Sequence, residues 1–140
     1  MERTQTTDEL LAAVPLFANL SKKEIGQISS LATRLEKPAG KELTRQGEHG
    51  NEFVIILDGE VEVVVDGEVV ATRGPGEYFG EIALLEDRPR TATVVAKTPV
   101  SVDVIGQREF RTLVAMKPEI AQQLLATMAE HLADDAARRR

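Results

Sequence analysis

The sequence predicts an α+β domain, mainly β, in which antiparallel strands form a sandwich, jelly roll or barrel between helical ends. Three observations carry this. Residues 8–33 repeat apolar side chains at helical spacing, the stretch from about Arg34 to Ile105 breaks into short runs rich in Val, Ile and Thr, and helical spacing returns after Ile105. With 140 residues, 42% of them hydrophobic and 29% charged, the chain suits one domain, placed at 8–135 with flexible ends at 1–7 and 136–140.

Asp8 and Glu9 suit the first turn of a helix carrying Leu10, Leu11 and Val14, which Pro15 ends. Ser21 and Glu24 then have the spacing of a capping box, and Leu20 and Ile25 that of a hydrophobic staple. Ile25, Ile28, Leu31, Ala32 and Leu35 continue as the buried stripe of a second helix. In the β region the turn signals include Pro38-Ala39-Gly40, Gln46-Gly47, Gly50-Asn51 and Gly74-Pro75-Gly76. Asp58-Gly59 and Asp66-Gly67 are hairpin signals, because both central residues of such a turn must reach positive φ. Phe53–Leu57, Glu60–Val65 and Glu68–Thr72 are thus expected as an antiparallel meander, with Val61, Val63 and Val65 on one face of its middle strand. Tyr78 is expected at the mouth of the roll. Phe110, Leu113 and Val114 mark a helix that Lys117-Pro118 breaks, with Met116 filling gaps in an apolar stripe. Pro118 opens a last helix with Ile120, Leu124, Met128 and Leu132 four residues apart, closed by Arg138, Arg139 and Arg140 where cations suit the helix dipole.

Composition narrows the chemistry. The chain has no cysteine, hence no disulfide, thiolate metal site or cysteine nucleophile. Seventeen Lys and Arg against 23 Asp and Glu give a net charge of −6, which repels phosphate backbones, so nucleic acid is not an expected partner. Apolar runs stop at five residues, too short for a membrane span or a secretory signal, and a cytoplasmic protein is expected. A metal-dependent jelly-roll enzyme needs two or three convergent histidines and a carboxylate, whereas this chain has only His49 and His131, with no His-x-His, and no metal site is expected. His49 is taken as an exposed turn residue.

One stretch departs from the strand pattern: Tyr78-Phe79-Gly80-Glu81-Ile82-Ala83-Leu84-Leu85-Glu86-Asp87-Arg88-Pro89-Arg90-Thr91-Ala92-Thr93. Its Glu-Ile-Ala-Leu-Leu-Glu portion has helix-forming content but is barely two turns long. The N-terminus of so short a helix turns unpaired N–H groups toward a ligand, and Gly80 allows close approach to the backbone. Arg90 offers a planar fork for phosphate oxygens. Glu81, an acceptor, suits a sugar hydroxyl. Taken alone, Glu81 and Arg90 would be a buried structural ion pair, and Glu86, Asp87 and Arg88 a solvated loop tip.

Phe79-Gly80-Glu81-Ile82-Ala83-Leu84-Leu85 followed by Pro89-Arg90-Thr91-Ala92 resembles the phosphate-binding cassette of cyclic nucleotide-binding domains. That family includes regulatory subunits of cyclic-nucleotide-dependent kinases, cyclic-nucleotide-gated channels and the catabolite activator protein. Pro15-Leu16-Phe17, Leu20-Ser21, Gln46-Gly47-Glu48 and Asp58-Gly59 fall where the family has comparable segments. The resemblance implies an antiparallel β jelly roll flanked by N-terminal and C-terminal helices, with a short cassette helix between strands. It implies a 3',5'-cyclic nucleotide ligand held by Gly80, Glu81, Ile82, Ala83, Arg90, Thr91 and Ala92: Arg90 on the cyclic phosphate, Glu81 on the ribose 2'-hydroxyl, and the N–H groups of Ile82, Ala83 and Thr91 completing the phosphate shell. Thr91 stands where Thr or Ser permits cyclic GMP and also occurs in adenine-binding members, and cyclic AMP is preferred. No cofactor and no enzymatic activity are implied, since nothing in the motif supplies a general base or an activated water.

The resemblance further implies that the C-terminal helix folds over the base, with Leu124, Met128, His131 and Leu132 as an aliphatic lid, since no aromatic follows Phe110. The N-terminal helices around Leu16, Phe17 and Leu20 would shift in the opposite sense. The same stripe would serve a homodimer or an output-domain partner equally well. The alternatives are a structural or dimerisation module that binds no nucleotide, and a regulatory fragment of a larger protein.

Overall fold

The computed structural model describes residues 7–14, 17, 20–80, 89–119, 122, 126, 129 and 130. At the N-terminal end, α1 (Thr7–Ala12) precedes α2 (Lys22–Leu31). The first helix stops short of Pro15, because its exit is already bent by successive turns: Val14 N donates to Leu11 O at 3.0 Å, Phe17 N to Val14 O at 2.9 Å and Leu20 N to Phe17 O at 3.0 Å. These turns carry Leu11, Val14 and Phe17 down one side into the core. The capping box that opens α2 is complete, with Glu24 N donating to Ser21 Oγ at 3.1 Å and Ser21 N donating to Glu24 Oε1 at 2.9 Å. A box of this kind contributes about 1 kcal/mol. Ile25 and Ile28 are buried, and Leu20 packs on the same cluster as Ile25, as the staple requires.

The helical stripe does not extend to Leu35. Ala32 is already extended, at φ −93° and ψ 151°, and Thr33–Lys37 form strand β1, with Leu35 37% exposed. Ladder hydrogen bonds to a distant strand outweigh the local period. The remaining strands are β2 (Glu42–Thr44), β3 (Glu52–Asp58), β4 (Val61–Val65), β5 (Glu68–Arg73), β6 (Tyr78–Phe79), β7 (Thr93–Ala96) and β8 (Val100–Gly106), followed by α3 (Gln107–Met116). Every pairing is antiparallel, in two sheets ordered β1-β8-β3-β6 and β2-β7-β4-β5, the expected jelly roll.

The described residues therefore form three layers around two cores. Phe53, Ile55, Leu57, Tyr78 and Ile105 face the helices, meeting Leu11, Phe17, Ile28, Phe110 and Leu113. Val54, Ile56, Val102 and Val104 face the second sheet and meet Val61, Val94 and Ala96. The uninterrupted run Phe53–Leu57 reflects this: β3 is covered on both faces, so it does not alternate. Tyr78 lies inside the helix-facing core rather than at a mouth, its ring edge-on to Phe53 with centroids 5.3 Å apart. Asp103 shares the face of Ile55 and Ile105, is fully buried, and accepts from Arg34 Nε at 2.8 Å across the β1–β8 pair.

The two Asp-Gly steps behave differently. Asp66 and Gly67 have φ of 53° and 82° and join β4 to β5 as a hairpin. At Asp58-Gly59 only Gly59 is positive, at φ 86°, and β3 and β4 belong to different sheets, so the expected meander is broken there. The alternation of β4 is also interrupted, by a bulge at Val63/Val64. The helix ending at Met116 buries Phe110 and Leu113 but leaves Met116 48% exposed, so that methionine fills no gap. Pro118, Glu119, Gln122, Ala126, Ala129 and Glu130 are helical, in keeping with a helix opened by Pro118. Ile120, Leu124, Met128, His131, Leu132 and Arg138–Arg140 lie outside the described residues. No helix among the described residues is long and apolar enough to cross a membrane.

Candidate functional site

Two segments far apart in sequence build the site. The chain leaves β6 at Gly80 and returns at Pro89, where residues 47–49 pair with it: Arg90 N donates to Glu48 O at 2.8 Å, Gly47 N donates to Arg90 O at 2.9 Å, and His49 bridges Pro89. His49 is exposed, as expected of a turn residue. The corner is held further by Gln46 N donating to Thr93 Oγ1 at 3.0 Å and by Thr44 Oγ1 donating to Ala92 O at 3.2 Å. The Gln46 side chain also grips the β4–β5 hairpin, donating to Asp66 Oδ1 at 3.0 Å and accepting from Asp66 N at 2.9 Å. The backbone beneath Arg90 is thus fixed by hydrogen bonds to β2 and to the loop that follows it.

The Arg90 side chain lies half-exposed, with Nη2 donating to Glu52 O at 2.8 Å. Gly50 and Gly80 flank its guanidinium closely enough that a Cβ on either would overlap it. At Gly80 a Cβ would also overlap the Glu52 carbonyl oxygen, and φ is +85°. The first demand on Gly80 is therefore its fit against Arg90 and β3, in a backbone conformation that glycine adopts without strain. Nearby, Arg45 donates to Glu42 Oε1 at 2.9 and 2.7 Å, and this hydrogen bond holds its pKa further above the ordinary guanidinium value.

Of the expected site residues, Gly80, Arg90, Thr91 and Ala92 are described, and the fold brings Gly80 and Arg90 together although 10 positions separate them in the chain. Thr91 is exposed and Ala92 half-buried. Glu81, Ile82 and Ala83 lie outside the described residues, as do the lid residues Leu124, Met128, His131 and Leu132. Sequence reasoning took Gly50 only as a turn signal and did not single out Glu52. Their place beside Arg90 depends on a backbone carbonyl and a missing side chain, neither of which leaves a motif. Among the described residues no three His, Asp or Glu side chains converge to hold a metal ion.

Residues 34–117, which contain the β roll and α3, match the family model described as the cyclic nucleotide-binding domain. The chain belongs to this family. A cAMP-dependent protein kinase regulatory subunit from Yarrowia lipolytica is 35% identical over 136 residues, covering 96% of this chain and 33% of the relative. The solved catabolite activator protein of Thermus thermophilus superposes with a TM-score of 0.81 at 29% identity, covering 89% of this chain and 61% of that one. The regulatory domain of Toxoplasma gondii PKA, solved with cAMP, gives a TM-score of 0.75 at 27% identity, covering 89% of this chain and 49% of that one. The chain spans about a third of the length of the curated relatives it matches.

Proposed function

We propose that the domain binds one 3',5'-cyclic mononucleotide, cyclic AMP in preference to cyclic GMP, as a sensor that performs no chemistry on it. The observation that carries this reading is Arg90: in a chain of this family, its guanidinium is held by a carbonyl oxygen and two glycines at the end of the cassette sequence. A guanidinium so oriented suits two parallel hydrogen bonds to phosphate oxygens. Glu81 accepts from the ribose 2'-hydroxyl, the N–H groups of Ile82, Ala83 and Thr91 complete the phosphate shell, and Thr91 stands beside the base. The preference for cyclic AMP is supported by the cAMP-bound Toxoplasma gondii regulatory domain that shares the fold.

Output passes through the flanking helices. As the family resemblance implies, the segment beyond Pro118, with Leu124, Met128, His131 and Leu132, closes over the base in the bound state, and a ligand drives this only if it binds the closed arrangement more tightly than the open one. The same segment is the proposed contact with a second copy or an output domain, in a regulatory protein placed in the cytoplasm. Calorimetric titration with cyclic AMP, cyclic GMP and their linear monophosphates tests the reading. Saturable binding of one cyclic mononucleotide per chain is expected, and ligand at 100 times its Kd adds about 2.7 kcal/mol of stability. Absence of binding by either cyclic nucleotide at millimolar concentration overturns it and leaves a structural module. Hydrogen exchange tests the helices: protection should spread from residues 80–92 into 119–133 on binding, and protection confined to the cassette removes the lid.

A further inference from the structure

Arg90 rests against two bare Cα atoms, and the reasons for the two glycines differ. At Gly80 the left-handed backbone and the Glu52 carbonyl oxygen both exclude a side chain, whatever Arg90 does. Gly50 is under neither constraint. Its φ lies outside the left-handed range, and the three nearest atoms a Cβ would meet all belong to Arg90: Nε, Nη2 at 2.9 Å and Cζ at 3.0 Å. The obstruction is the far end of a flexible, half-exposed side chain, so alanine at position 50 displaces the guanidinium and leaves the fold intact.

We infer that Gly50 is a positioning residue: the space left by its missing side chain holds the plane of the Arg90 guanidinium and so sets the affinity for the ligand's phosphate. This rests on the cyclic nucleotide reading above. The chemistry behind it is that a guanidinium binds two phosphate oxygens only when its fork is presented in the right plane, and a methyl group at position 50 would occupy the volume that plane now fills. Hydrogen bonding to Glu52 O fixes one end of the head. Gly50 lets the rest lie flat.

The test is Gly50→Ala in two backgrounds. Without ligand, its melting temperature should stay within roughly 2 °C of wild type. Its affinity for cyclic AMP should fall on the order of tenfold, the effect of misplacing a recognition group by a fraction of an ångström to one ångström. A general distortion of the 47–50 corner would also weaken binding, so the change is repeated with Arg90→Lys, whose head has no planar fork. There the loss caused by Gly50→Ala should shrink to less than about twofold. An equal loss in both backgrounds, or no loss beside Arg90, overturns the inference. Should Arg90→Lys bind too weakly to titrate, the ligand-free ¹⁵N–¹H spectrum decides. The Arg90 Nε–H signal should move in Gly50→Ala while amide signals of β3 and β8 hold still, and an unmoved Nε–H signal overturns the inference. Wild-type protein that binds no cyclic nucleotide overturns the parent reading as well, and that failure shows in a titration where position 50 is unchanged.

Discussion

Arg34 in β1 donates Nε to Asp103 at 2.8 Å, a carboxylate whose side chain is 1% exposed, whereas Arg90 donates Nη2 at the same distance to the backbone oxygen of Glu52. The acceptors differ in charge, and the surroundings follow. Arg34 answers a buried carboxylate on the helix-facing side of the first sheet, where removal of the arginine leaves that carboxylate uncompensated. Arg90 donates to a neutral carbonyl at an exposed corner, and its guanidinium lies against the bare Cα atoms of Gly50 and Gly80. One arginine therefore serves the fold, and the other suits recognition.

The largest effect on folding should come from Arg34→Ala. It strands Asp103 and should lower unfolding free energy by about 3 kcal/mol in urea titrations, while cyclic nucleotide affinity stays unchanged. Pairing Arg34→Met with Asp103→Leu should recover most of the loss, because Asp103 Oδ2 has no hydrogen-bond partner and a packed apolar pair avoids its burial. Failure of that recovery would assign the residues more than charge compensation.

Arg90→Ala should do the reverse, weakening cyclic AMP binding by about 2 to 5 kcal/mol in calorimetry with little change in ligand-free stability. Arg90→Lys should regain only part of it. A large fall in ligand-free melting temperature would erase the contrast with Arg34. Next in size, Glu81→Gln should cost roughly 1 to 2 kcal/mol of affinity and reduce discrimination against a 2'-deoxy cyclic nucleotide. Unaltered discrimination would remove Glu81 from the sugar. Thr91→Ala should shift the ratio of cyclic GMP to cyclic AMP affinity downward, and a constant ratio would mean the base is read elsewhere.

The smallest effect belongs to a half-buried pair at the surface. Glu24 accepts from the Ser21 backbone and meets Lys117 Nζ at 2.9 Å, and these contacts, the Ser21 hydrogen bond foremost, hold its pKa below the ordinary carboxylate value. The folded-state pKa is the lower one, so this stabilisation is complete above the unfolded value and fades as pH falls through the folded one. Glu24→Gln should flatten the acid limb of the stability curve slightly, without touching affinity. The pair joins α2 to the residue that ends α3, immediately before the helical segment beginning at Pro118.

Much of this architecture was legible because its causes are local. The Ser21–Glu24 box closes within one turn of chain, and the Asp66-Gly67 hairpin needs only two residues able to take positive φ. The cassette residues Gly80 and Arg90 stood out by spacing, and the fold brings them together. Where the reading failed, the cause lay elsewhere in the chain. Leu35 fits a helical stripe until β8 offers β1 its ladder, and Asp58-Gly59 has the composition of a hairpin while the chain crosses there from one sheet to the other.

Local propensity, capping and turn chemistry, read along the chain, were enough for the start of α2, the Asp66-Gly67 hairpin and a β roll between helices, because each depends on neighbours a few residues apart. Partner choice was not available that way. That Asp103 meets Arg34 across 69 residues, that Tyr78 packs under the helices, and that Gly50 lies against Arg90 all follow from strand order and register. Such contacts form only once the ladders close, since a ladder sets which face each side chain takes and which distant residue stands opposite it.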